Sequence, residues 1–157
     1  MSTQAVQAVA RRTPKGWAII DWLCRVVAAV ILLQTLFFKF TAAPESVYIF
    51  TKVGGFVHAN LPFVAIGTAE KLGRTGSGVM ELIAGILLIA PRRVWAGAVL
   101  AMAATGGAIA THLTLLGIDV LGDKGLLFGL AITVFIASAI ALYIHRSQLP
   151  VIGKRFE

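Results

Sequence analysis

Apolar residues gather in four long blocks. Trp17 to Phe40 is the first, interrupted by Asp21, Arg25 and Gln34. Gly76 to Ala90 is the second, Val94 to Leu116 the third and Gly125 to Ile144 the fourth. Three approach or exceed the roughly 20 residues that a spanning helix needs. The second is short unless it begins near Leu72, before Arg74. No alternation with period two is present, so helices are predicted, and a helix satisfies its own backbone polar groups in lipid. The expected fold is an all-α integral membrane protein, an antiparallel four-helix transmembrane bundle with spans at 17–40, 74–90, 94–116 and 125–145. The short links Pro91-Arg92-Arg93 and Gly117 to Lys124 make neighbouring helices antiparallel.

The segment between the first two spans, 41–73, is the longest connection and is not simply polar. Ala43 to Gly55 reads as a short helix: Pro44 suits its first turn, Glu45 favours its N-terminal dipole, and Gly54-Gly55 stops it. Phe56 to Ala69 is also apolar, with Pro62 as a breaker. This loop is expected to form an interfacial or re-entrant helical segment. Residues 1–16 are expected to form a polar cytoplasmic N-terminal segment, 17–146 the four-helix transmembrane domain and 147–157 a cytoplasmic tail. Thr41-Ala42-Ala43 resembles a cleavage site, but the charged region before the first block is too long for a signal peptide, so that block reads as a permanent span.

Composition agrees. The chain is 58% hydrophobic and 13% charged, about half the charge of an ordinary soluble domain, and its mean hydropathy is +0.87. Its net charge of +7 is distributed unevenly. Arg11, Arg12, Lys15, Arg92, Arg93, Arg146, Lys154 and Arg155 fall on the side of the termini, against Lys39, Lys52, Lys71, Arg74 and Lys124 on the other. The positive-inside rule places both termini in the cytoplasm. No basic face interleaved with aromatics suggests nucleic acid; the expected surroundings are a lipid bilayer with anionic headgroups. Cys24 is the lone cysteine, which excludes a dithiol centre.

Against this background Glu81 stands out. An acidic residue at a helix centre in lipid costs about 2.5–3.5 kcal/mol, so it needs a partner, a proton or water. At a rise of about 1.5 Å per residue, Glu81, His112, Gln34 and Lys39 all lie near one level toward the outer side. Glu81 and His112 are the candidate catalytic pair, able to share a proton and pass it to a quinone or another redox partner, with Gln34 and Lys39 supporting. The alternative is a structural hydrogen bond that fixes helix register. Asp21 and Arg25, four residues apart, are the expected structural ion pair. Gly125, Gly129, Thr133 and Ala137, continued by Ala141, form a stripe of small residues expected to be a packing seam. His112 and His145 fall on opposite sides and cannot sandwich one haem. A metal site on Glu81 and His112 would lack ligands, so no metal is expected.

Three stretches carry a resemblance: Lys39-Phe40-Thr41-Ala42-Ala43-Pro44-Glu45-Ser46; Gly76-Ser77-Gly78-Val79-Met80-Glu81-Leu82-Ile83-Ala84-Gly85-Ile86-Leu87-Leu88-Ile89-Ala90-Pro91; and Thr111-His112-Leu113. From Trp17 to Arg146 the chain resembles the DoxX-like family of small bacterial membrane proteins. The resemblance implies a four-helix bundle in the bacterial cytoplasmic (inner) membrane. Some relatives are quinone-linked subunits of thiosulfate:quinone oxidoreductases, and others associate with redox-stress proteins. Glu81 matches the family's acidic position and His112 its third-helix histidine. Two functional readings follow. One is an accessory or quinone-linked subunit of a membrane redox complex, with its redox cofactor on a partner. The other is a non-catalytic scaffold or assembly subunit that joins other subunits or copies of itself.

Overall fold

The computed structural model describes residues 15–149. The N-terminal segment and the tail lie largely outside them, as do Arg11, Arg12, Lys154 and Arg155. Five helices account for most of the described chain: α1 (Lys15–Phe40), α2 (Pro44–Asn60), α3 (Ile66–Ile89), α4 (Val94–Thr111) and α5 (Leu126–Ile144). The last turn of α4 widens over His112–Leu116, and a short turn at Arg146–Gln148 follows α5. Four helices, α1, α3, α4 with its widened turn, and α5, are long and apolar enough to cross a membrane.

These four pack in a closed ring, α1 on α3, α3 on α4, α4 on α5 and α5 on α1. The core they share is built from Ala28, Leu32, Ala84, Leu88, Ala98, Ala101, Val134 and Ala137. Alanine dominates because small side chains let backbones approach, which is where packing energy comes from between apolar helices. Gly97 shows how close: a Cβ there would sit 2.5 Å from the Leu88 nitrogen and 2.8 Å from the Leu87 carbonyl carbon.

α2 lies mainly along α3 and touches α1 and the widened turn of α4. It covers one end of the ring, here the cap end. The other end, where α1 begins and α5 finishes, is the tail end. Pro44 opens α2 as the sequence suggests, and Glu45 lies in its first turn. Gly54-Gly55 does not stop the helix, which continues to Asn60. Gly54 is instead a contact: a Cβ would meet the Ile66 carbonyl at 2.8 Å, so the missing side chain lets α2 press on the start of α3.

Two further expectations change. The second long helix begins at Ile66, well before 74, because Glu70 and Arg74 neutralise each other on its buried side. The stripe on α5 is not one seam. Ala137 and Ala141 are buried, with Ala131, Val134 and Ser138, whereas Gly129 and Thr133 face outward and Gly125 precedes the helix at φ +82°. Steps of four residues advance about 400° around a helix of 3.6 residues per turn, so such a stripe drifts about 40° per step and leaves the buried face.

Candidate functional site

Glu81 is 8% exposed and lies on the face of α3 that meets α1. Its Oε1 is 2.5 Å from the Lys39 ammonium. Its Oε2 is 2.8 Å from the Thr35 hydroxyl, which shares its proton with the Leu32 carbonyl at 2.7 Å. Lys39 and Thr35 are four residues apart, so one face of α1 presents both to the carboxylate. The Lys39 ammonium also lies over the Phe50 ring of α2, 5.8 Å from its centre. Beside this pair, Arg74 holds Glu70 through Nε and donates from Nη1 to the Lys39 carbonyl. That carbonyl belongs to the last turn of α1, where backbone acceptors lack helical partners. The desolvation of a buried ion pair is repaid only when further hydrogen bonds satisfy its atoms, and here Thr35 supplies one to the second Glu81 oxygen.

Gln34 does not join this cluster. It is exposed on the outer surface, and Thr35 takes the place expected of it. Gln34 and Thr35 are neighbours on α1, but consecutive helical residues point about 100° apart. His112 does not pair with Glu81 either: among the described residues no hydrogen bond or ion pair links the two. The His112 ring is buried and its Nδ1 lies 2.8 Å from the Gly117 carbonyl, while the Gly117 N–H donates to the His112 carbonyl at 2.9 Å. This reciprocal clasp closes the widened turn, and the φ of +81° at Gly117 suits a residue without a side chain. The ring also packs on Phe128 of α5, with centres 5.5 Å apart.

The loop after the clasp is organised by Asp123. Its carboxylate accepts from the backbone N–H groups of Val120, Gly125 and Leu127 at 2.8–3.0 Å. Burial pushes the Asp123 carboxyl up, but the Leu127, Val120 and Gly125 N–H groups and the neighbouring His112 outweigh it and hold the group below its ordinary value.

At the tail end a second polar cluster forms around Asp21 and Arg25. Arg25 donates to Asp21 at 3.1 Å, as their spacing suggests. It also donates to the Leu88 and Ile89 carbonyls at 2.6 and 3.0 Å, closing the last turn of α3. Arg25 and Arg74 therefore perform the same task in opposite directions: each helix lends an arginine to the terminal carbonyls of the other. His145 completes the cluster. Its Nε2 lies 2.9 Å from Asp21 Oδ1, and its Nδ1 lies 3.0 Å from Gln148 Nε2, which also donates to the Pro91 carbonyl at 3.0 Å. The Pro91 oxygen orients the Gln148 amide nitrogen, so Nδ1 accepts and Nε2 carries the proton.

His145 and Gln148 were missed in the sequence reading, although the signal was there: an even number of spans puts the end of the last helix beside the start of the first. A cavity of about 270 Å³ opens here, lined by Trp17, Ala18, Asp21, Trp22, Ile144 and His145. A shallow apolar groove lies beside it, along Ala18, Ile19, Trp22, Leu23 and Val26. Neither is lined by Glu81, Lys39 or His112. Cys24 is half-buried and free. Among the described residues no group of three or more His, Cys, Asp or Glu side chains could hold a metal ion. Comparison with family models, with curated proteins and with solved structures gives no match to the chain.

Proposed function

We propose that the chain is a multi-pass membrane protein of DoxX-like kind that serves as a non-catalytic accessory or scaffold subunit. Its buried polar residues hold helices in register, and its work is done by association with other membrane proteins. The observation that carries this reading is the state of Glu81. Both of its oxygens are already bonded within the chain, to Lys39 and Thr35, and His112, the expected proton partner, is bonded to Gly117. A proton-transfer group must reach its partner directly or through one water, and Glu81 lines neither the tail-end cavity nor the groove beside it. The proposal places both termini in the cytoplasm. Arg92 and Arg93 support this, because the Gln148–Pro91 hydrogen bond ties their turn to the tail end, where basic residues collect.

The test removes the titratable pair and keeps the fold. Lys39→Met with Glu81→Leu replaces a buried ion pair with apolar groups of similar size, an exchange that proteins tolerate. An accessory subunit so altered still assembles into its membrane complex and still supports that complex's activity. A double variant that folds and assembles but abolishes quinone-dependent turnover would establish the proton-handling role and overturn the proposal.

A further inference from the structure

The outer surface of α1 carries an unsatisfied polar group. Gln34 is exposed, and among the described residues its amide makes no hydrogen bond. It lies six residues before the end of α1, about 9 Å of helix rise, farther than its side chain extends. Within the proposed bilayer that amide has neither water nor protein to bond, and an unpaired amide in an apolar medium costs several kcal/mol. Its neighbours on the same face are Ile20, Leu23, Val27, Val30 and Phe37. With Gln34 they follow the alternating three-and-four spacing of a heptad seam. Leu23 is 62% and Phe37 69% exposed, and Val27 is partly buried, so among the described residues most of this face is left uncovered. Gln34 is its one polar residue.

We infer that this face of α1 docks against α1 of a second copy of the chain, with the two Gln34 amides hydrogen-bonded to each other across a two-fold axis normal to the membrane. The inference deepens the association reading and rests on it. What selects a second copy over lipid or an unrelated helix is self-complementarity. A primary amide offers a donor and an acceptor, so two related by a two-fold satisfy each other. Copies inserted in the same orientation place identical residues at identical depth, and a closed two-fold interface brings residue i to its own equivalent near the axis. A single polar residue in such a seam sets register and oligomer state, the best-attested use of a buried polar group between helices. The rest of the seam is Ile, Leu, Val and Phe, with no charge to keep two copies apart.

The test uses full-length protein in membranes with Cys24→Ser, so that an introduced cysteine stands alone. Val30→Cys, on the same face with Gln34 intact, is expected to give a disulfide-linked dimer on mild oxidation, and Thr133→Cys, exposed on α5, to remain monomeric. Gln34→Leu should weaken dimerisation by about three- to thirty-fold, the range that corresponds to interhelical side-chain hydrogen bonds, with the helical content of the protein unchanged. Equal crosslinking at both positions, a Gln34→Leu protein that dimerises like the wild type, or a wild type that is monomeric in lipid nanodiscs would each overturn the inference. A monomeric wild type would leave the accessory reading standing, since that is judged separately by the Lys39→Met, Glu81→Leu protein.

Discussion

The two ends of the ring are built from the same parts and finished differently. At each end a carboxylate and an arginine four residues later sit on one helix, and the arginine closes the last turn of its neighbour: Asp21 and Arg25 of α1 for α3, Glu70 and Arg74 of α3 for α1. The cap end adds a further ion pair, Lys39–Glu81, roofed by Phe50 of α2. The tail end adds a histidine, a glutamine and a cavity between two tryptophans. The shared part explains why α1 and α3 need arginines at all, since helix ends leave carbonyls without partners and these two ends are packed against protein. The two pairs are equally withdrawn from solvent, with side chains 5% and 11% exposed for Arg25 and Asp21 and 14% and 10% for Lys39 and Glu81. They differ in their partners: Glu81 has Lys39 as its one basic partner and a hydroxyl beside it, whereas Asp21 is held by both Arg25 and His145.

The largest effect that would sharpen this contrast is expected from Lys39→Met. It leaves Glu81 buried without its counter-charge and should cost about 3–5 kcal/mol, measured as loss of folded protein on heating in detergent. Arg25→Met makes the matching change at the tail end and abandons the Leu88 and Ile89 carbonyls. It should cost less, about 1–3 kcal/mol, because Asp21 keeps the His145 ring as a partner. An equal loss from the two substitutions would break the contrast between the ends.

Much of this was legible in the sequence. The four long helices follow from apolar runs, and the i,i+4 pair Asp21–Arg25 from spacing. Depth could also be read, because rise per residue is fixed, and it placed Glu81 and Lys39 on one level. What could not be read was azimuth. Gln34 and Thr35 share a depth, yet one faces out and the other meets Glu81, and only packing decides which. The small stripe of α5 failed for the same reason, since its spacing does not match the helical repeat. The start of α3 was hidden because Glu70, Lys71 and Arg74 look like loop residues until Arg74 is seen to serve the end of α1. Gly54 looked like a stop signal and proved to be a contact, a distinction that depends on a neighbour distant in sequence.

The smallest expected effect lies at the loop between α4 and α5, outside both polar clusters. Asp123→Ala removes a carboxylate that organises the start of α5 and should cost about 1 kcal/mol, the usual worth of a helix-capping side chain. Because the folded protein holds Asp123 below its ordinary value, the unfolded chain takes up the proton first as pH falls. The Asp123 contribution is therefore complete above about pH 4, the unfolded value, and is lost as pH drops through the folded value. The difference in unfolding temperature between the wild type and Asp123→Ala should shrink over that interval and stay constant above it. A difference that grows on acidification would contradict the sign.

The most direct measurement is a double-mutant cycle on the cap-end pair: the unfolding free energies of the wild type, Lys39→Met, Glu81→Leu and the double variant. If the pair is a structural lock, each single variant is strongly destabilised while the double variant recovers most of the loss, a coupling of about 2 kcal/mol or more between residues in contact. Single losses that simply add in the double variant would show that Lys39 and Glu81 do not hold each other, and that the carboxylate is kept for something other than the fold.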